Sequence, residues 1–236
     1  MTRILFTTTS TTVGGAEKTL YALTTLLDPK RCEVAGVVSL KPLGAYAEKI
    51  AATGIKTQTL GLKGAPSLRL LKDLCAVIRH ERPDIVHALM YQAIQLSRLA
   101  KRRLGPEAPF RLISSPRVSY RTRSAWTLMV DRCLKGADDL LISESESSRN
   151  FLIKKLGYAP QKVKTIYNGV DLAGWPASRL ERQQIRLELR LAGSDILIGT
   201  VGRLDAQKGQ NILIDAVAKE AELTKLMENA HRDVGI

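Results

Sequence analysis

Eight short runs rich in β-branched and other apolar residues, separated mostly by helical segments, constrain this 236-residue chain more than any other feature. The runs cover residues 4–6, 34–38, 55–60, 85–87, 110–114, 139–143, 163–167 and 196–201. Such alternation predicts an α/β chain: βαβ units building a Rossmann-like parallel sheet with helices on both faces. Leu68, Leu71, Leu74, Val77 and Ile78 recur at helical spacing and predict a core-facing helix. Ser143 and Glu146 have capping-box spacing ahead of a helix over 147–156. Asn168-Gly169 reads as a turn between domains.

The length exceeds one typical domain and falls short of two. The expected division is a first domain over 1–171, a linker with a charged helix over 172–194, and the start of a second Rossmann-like domain over 195–236. One strand, one loop and one helix cannot bury their own faces. The last segment is therefore expected to pack on the first domain, to fray, or to borrow a partner.

Two loops carry anion-binding chemistry. Behind the run 196–201 stand Gly202, Arg203, Lys208 and Gly209, ahead of a helical segment from Asn211. Loops at the carboxyl end of a parallel strand are where open α/β sheets hold ligands. Arg203 offers a planar fork of donors and Lys208 a mobile point charge, beside glycines and a helix N-terminus. Near the start, the hydroxyl-rich stretch 7–12 leads to Gly14-Gly15 and the helix over 19–27, a second phosphate-facing helix start. The alternative for both is an ordinary strand-to-helix turn with solvated side chains.

Taken in order, these segments resemble family 4 of the retaining glycosyltransferases, which have the GT-B fold. The resemblance runs from Met1 to about Ala218: the Gly14-Gly15 loop, Pro83-Asp84-Ile85-Val86-His87, the stretch 137–144, Asn168-Gly169-Val170-Asp171, and Gly202-Arg203 with Lys208 five residues on. It implies transfer of a sugar from a nucleoside diphosphate sugar to a glycan or lipid-linked acceptor, such as a lipopolysaccharide or exopolysaccharide precursor, held mainly by the first domain. It implies that Gly14 and Gly15 line the cleft, where their loop approaches the donor diphosphate and the acceptor, and that Arg203 and Lys208 neutralise the departing diphosphate. No cofactor and no divalent metal are expected; the nucleotide-sugar is a co-substrate. The family's Glu-x7-Glu pair has no counterpart here, and the positions where many members carry a further histidine are Leu89, Met90, Tyr91 and Gln92. His87 is the weak catalytic candidate, weighed against a satisfied structural histidine. The expected reading is a truncated glycosyltransferase, inactive alone, that needs its missing second domain or a partner chain.

Charge adds a competing function. Lys and Arg number 36 against 23 Asp and Glu, a formal charge of +13. Arg98, Lys101, Arg102, Arg103, Arg111, Arg117, Arg121, Arg123 and Arg132 crowd one stretch, against Glu107 and Asp131. Arg102, Arg103, Arg117, Arg121 and Arg123 are the candidate acceptor-facing or membrane-facing patch, with a merely solvated face as the alternative. The segment from Arg121 through Val130 reads either as a shallow interfacial helix around Trp126 or, preferred, as a core helix on Met129, Val130, Cys133 and Leu134. A non-catalytic Rossmann-like module holding an anionic lipid, an acidic partner or nucleic acid by this basic face is the second functional reading. No specific nucleic-acid motif is visible, so charge supports only non-specific phosphate binding.

No apolar run approaches the roughly 20 residues that span a bilayer, and no signal-peptide pattern opens the chain. A cytoplasmic location is expected, with peripheral contact on the inner face of the membrane allowed. Cys32, Cys75 and Cys133 match neither a disulfide framework nor zinc spacing, so reduced, largely buried thiols are expected. His80, His87 and His231 form no metal-ligand cluster.

Overall fold

A computed structural model describes residues 1–64, 67–117, 124–169, 179–202 and 204–219, and divides the chain into Met1–Val170 and Asp171–Ile236. The first unit holds strands β1 (Thr2–Thr8), β2 (Cys32–Ser39), β3 (Thr57–Thr59), β4 (Ile85–Leu89), β5 (Arg111–Ser115), β6 (Leu140–Ser143) and β7 (Val163–Thr165). They form one seven-stranded sheet in the order β3-β2-β1-β4-β5-β6-β7, every pair parallel. Helices α1 (Gly15–Leu26), α2 (Ala45–Ala51), α3 (Leu68–Glu81), α4 (Tyr91–Leu104), α5 (Ala125–Leu134) and α6 (Glu146–Leu156) connect them.

Both faces of the sheet are buried, so the strands read as continuous apolar runs. Alternation along a strand then sorts neighbours to opposite faces. Leu5, Val38, Val86 and Ala88 join α3 and α4 in one core, while Ile4, Phe6, Val37 and Leu89 join Leu20 of α1 and Ile50 of α2 in another. A third cluster, Leu141, Leu152, Leu156, Tyr158 and Val163, closes the β6–α6–β7 end. The Leu70, Leu74 and Ile78 side of α3 faces the first core, as its spacing predicts, and Ser67 caps that helix.

The chain order reverses between β1 and β4, because the chain winds from β1 out to β3 and then returns to the other side of β1. The crevice over the carboxyl ends of β1 and β4 is thus the place where such sheets hold ligands.

Four expectations are corrected. Residues 196–201 form no strand: they enter no ladder, and Ile196, Leu197, Ile198 and Val201 are 47 to 104% exposed. A parallel strand exists through its neighbours, and the described part of the second unit offers only α7 (Arg179–Glu188), a 3-10 turn (Ala206–Lys208) and α8 (Gln210–Ala218). The cap of α6 is Ser145, whose Oγ accepts from Ser148 N at 3.1 Å; Ser143 Oγ instead donates to the Ser145 carbonyl. Helix α5 has its expected core face only in part: Leu128 packs against the third cluster and Val130 and Leu134 are half-buried, but Met129 and Cys133 are exposed and its fully buried residue is Asp131. The thiols are likewise mixed: Cys75 is buried, Cys32 half-buried and Cys133 exposed.

Asp131 is buried because Arg98 of α4 is. This arginine, counted above with the basic surface, is 0% exposed. Its Nη1 donates to Asp131 Oδ1 (2.6 Å) and Gln95 Oε1 (3.0 Å), and its Nη2 to Asp138 Oδ2 (2.7 Å) and Tyr158 OH (2.5 Å). Nε reaches both Asp138 oxygens at 3.1 Å. Burial alone would push the guanidinium down; the charge of Asp138, its hydrogen bond to that carboxylate and the charge of Asp131 reverse that and hold it above its ordinary value. The network ties α4, α5, the segment leading into β6 and the segment after α6 into one body.

Candidate active site at the carboxyl edge of the sheet

The hydroxyl-rich segment after β1 is built into the crevice wall. Thr9 Oγ1 accepts from Ala93 N in the first turn of α4 (3.2 Å), and Thr11 Oγ1 accepts from Gly44 N ahead of α2 (3.0 Å). Gly44 packs so closely that an added Cβ would meet the Thr11 carbonyl oxygen at 2.9 Å. The loop is therefore fixed from two sides before it reaches Gly14.

Helix α1 starts at Gly14 without a side-chain cap, unlike α3, α5 and α6, each of which starts on a serine hydroxyl. Glu17 in its first turn is buried and complements the positive helix end. Its Oε1 accepts from Ser10 Oγ at 2.6 Å and from Thr12 Oγ1 at 3.5 Å. Its Oε2 lies where a Cβ on Gly14 would stand, 2.5 Å away, whereas a Cβ on Gly15 meets nothing within 4 Å. The glycine pair is thus unequal. Gly14→Ala is expected to displace the Glu17 carboxylate, the far end of a flexible side chain, and to cost at most about 1.5–3 kcal/mol, the worth of its hydrogen bond to Ser10. Gly15→Ala should be neutral or stabilising by up to about 1 kcal/mol, since alanine is the better helix former. Chemical denaturation of the two variants checks the contrast; equal losses would refute it.

At the end of β4, Met90 adopts φ 66°, ψ 157° while its amide donates to the Ser115 carbonyl (3.1 Å). A non-glycine residue at positive φ is strained, and strain of this kind gathers at ligand sites. His87 sits in the middle of β4, paired in register with Phe6 and Ile113. It is 7% exposed, its ring 5.4 Å from that of Phe6 and its Nε2 2.8 Å from Ser115 Oγ. Burial first, and then the charge of Arg117, lower its pKa from 6.5 to about 4. This surrounding fits the satisfied structural histidine, held neutral, and not a side chain open to the crevice.

The candidate basic patch is divided. Arg102 and Arg103 are exposed in the last turn of α4, and Arg102 Nη2 donates to the Cys133 carbonyl at 2.7 Å. That turn leads to the start of β5, at the amino edge of the sheet. Arg117 lies two residues beyond β5, at the carboxyl edge, half-buried and hydrogen-bonded to Thr19 Oγ1 of α1. Fourteen helical residues at about 1.5 Å each separate the two ends of α4. They are two surfaces and not one. Arg121 and Arg123 lie outside the described residues.

In the second unit, Arg203 lies outside the described residues. Lys208 closes the 3-10 turn, its amide donating to the Asp205 carbonyl at 2.8 Å, and its aliphatic stem passes 3.6 Å from where a Cβ on Gly202 would stand. Gly209 starts α8 at φ 66°, a left-handed position that suits glycine. Its need for glycine is thus conformational. Among the described residues no cluster of three His, Cys, Asp or Glu side chains is arranged to hold a metal, and no helix is long and apolar enough to cross a membrane.

Residues 13–173 match the profile of Glycosyltransferase Family 4, more than half of the chain. The chain belongs to that family. A D-inositol 3-phosphate glycosyltransferase from Thermobifida fusca (strain YX) is 32% identical over 109 residues, 46% of this chain and 23% of that protein. Among solved structures, Anabaena Alr3699/HepE in complex with UDP-glucose aligns with 100% of this family 4 chain and 66% of its own, at TM-score 0.74 and 23% identity. A glycosyltransferase from Rickettsia africae ESF-5 aligns with 94% of this chain and 58% of its own, at TM-score 0.69 and 15% identity. These structures share the α/β fold. The family 4 chain spans 23% of the curated relative and 58 to 66% of the two structures.

Glu17 and Ser115 were not singled out from sequence, and Met90 was named only as a position without the family's further histidine. A glutamate in a first helical turn is ordinary, and nothing in the letters tells that this one is buried. A methionine at positive φ leaves no sequence signal.

Proposed function

We propose that this chain is the acceptor-side part of a glycosyltransferase that moves a sugar from a nucleoside diphosphate sugar to a glycan or lipid-linked acceptor. The observation that carries the reading is the family 4 match over 13–173, which contains Gly14-Gly15, α1 and the strands β2 through β7. The donor class is supported by Anabaena Alr3699/HepE, whose structures hold UDP and UDP-glucose. In this reading Arg203 and Lys208 stabilise the departing diphosphate by preorganised charge, with no metal ion or other cofactor, and the loop of Gly14 and Gly15 lines the cleft beside the diphosphate and the acceptor. Transfer requires a nucleotide-sugar-binding domain more complete than the described part of the second unit, in the same protein or from a partner chain. Peripheral contact with anionic lipid on the inner face of the membrane suits the amino-edge cations, where Arg102, Arg103, Arg132, Lys154 and Lys155 are all exposed.

The test is thermal stabilisation by UDP and GDP, because a ligand that binds only the native state raises its stability. A weak rise is expected for the chain, abolished by Arg203→Ala combined with Lys208→Ala. An equal rise in the double variant would remove the phosphate site from these residues. Salt-sensitive binding to anionic vesicles with no nucleotide response would favour the non-catalytic module.

A further inference from the structure

Two arginines of the first unit leave water in opposite ways. Arg98 is enclosed with Asp131 and Asp138, and its N–H groups go to those carboxylates, Gln95 and Tyr158. Arg117 is half-buried, and burial pushes its guanidinium below the ordinary value, opposed by the charge of Glu144. Its hydrogen bond among the described residues goes to a neutral hydroxyl, Thr19 Oγ1; Glu144 acts on it through space, and no described carboxylate hydrogen-bonds it. A guanidinium has five N–H donors, so Thr19 leaves most of the fork open. Desolvating a cation without an anion in hydrogen-bond contact is unfavourable. Arg117 is also held at φ 57°, a left-handed conformation that a non-glycine residue adopts at a cost.

The place explains both costs. Arg117 follows β5, yet its side chain reaches α1, the helix that leaves β1. Since β4 lies between β5 and β1, the guanidinium crosses the switch point of the sheet. The strained Met90 turn ends β4 at the same edge. His87, neutral above about pH 4, contributes no charge there at neutral pH.

We propose that Arg117 is a specificity residue that receives an oxyanion of the acceptor, a phosphate or carboxylate substituent, in the crevice over β1 and β4. Both groups match the planar fork of a guanidinium. The acceptor half of this statement rests on the glycosyltransferase reading; the anion site does not.

Titration of the whole chain with inorganic phosphate and with glucuronate at constant ionic strength, read by calorimetry and thermal stabilisation, tests it. Saturable binding of at least one anion is expected, and whichever binds identifies the substituent. Arg117→Gln should weaken it about 10- to 100-fold, the range set by a charged hydrogen bond. Arg117→Lys should keep part of it, as a point charge without the fork. Arg117→Gly relieves the positive φ, and its melting temperature is measured beside the parent's, so that lost binding in a variant that melts within a few degrees of the parent is not lost folding. Lys30→Gln with Arg31→Gln removes two charges at the amino edge and should leave the affinity unchanged. No saturable binding in the parent, binding that survives Arg117→Gln, or an equal loss in the Lys30/Arg31 variant overturns the proposal. Phosphate binding lost in Lys208→Ala but kept in Arg117→Gln overturns it while leaving the glycosyltransferase reading intact. Arg117-dependent binding in a chain with no response to UDP or GDP does the reverse.

Discussion

Replacing Arg98 with alanine is expected to cost about 3–5 kcal/mol, the loss typical of breaking a buried ion pair by removing one partner. The magnitude follows from what stays behind. Asp138 retains Ser114 Oγ at 2.8 Å and Tyr158 OH at 3.0 Å, but Asp131 is left with Gln95 Nε2 at 2.6 Å on one oxygen and no partner on Oδ2. An uncompensated carboxylate at 0% exposure then disfavours the native state. Domains of this kind are stable by only about 5–15 kcal/mol, so the loss is a large fraction of the total and the variant is expected to melt several degrees lower. Asp131→Asn should cost less, because Asp138 still pairs with the guanidinium. Equilibrium urea unfolding followed by circular dichroism measures both. A change within about 0.5 kcal/mol for Arg98→Ala, the size expected for a surface residue, would mean that Arg98 belongs to the solvated face after all.

That experiment also marks where sequence reading stops. The seven strands were legible because a sheet covered on both faces demands apolar residues at successive positions, and runs such as Ile4-Leu5-Phe6 and Val34–Val38 have few other uses. Residues 196–201 carry the same letters and form no strand, since letters describe what a segment is able to pair with and not whether a neighbour is present. Arg98 was invisible for a related reason. It stands three residues before Lys101-Arg102-Arg103 and shares their charge, and only the meeting of α4 with Asp131 and Asp138 separates it from them. The loops at the carboxyl edge were legible as loops, through Gly14-Gly15 and the threonines. Their inner order was not: it depends on Glu17 meeting Ser10 and on Gly44 packing under Thr11, both set by tertiary contact.

His87 gives the second large effect, and its sign can be worked out. In the unfolded chain its imidazole has the ordinary pKa near 6.5, and in the native chain the value is about 4. Above pH 6.5 both states hold it neutral, and its contribution to stability is complete. As pH falls from 6.5 toward 4, the unfolded chain binds a proton that the buried ring refuses, so stability declines by about 1.4 kcal/mol per unit. The total is about 3 kcal/mol, reached near pH 4, below which both states are protonated and the decline from this group ends. Carboxylates titrate in part of the same window, so the quantity to measure is the difference in unfolding free energy between the parent and His87→Gln as a function of pH. That difference is expected to shrink by about 3 kcal/mol between pH 7 and pH 4, and the imidazole resonances of the native protein should titrate near 4. Arg117→Gln should raise that midpoint, because the guanidinium is the charge that opposes protonation after burial. A native midpoint near 6.5 would mean that the ring is wet and open to the crevice. It would then return His87 to the list of groups able to exchange a proton with a substrate, whereas a midpoint near 4 leaves it the neutral partner of Ser115 beneath the strained Met90 turn.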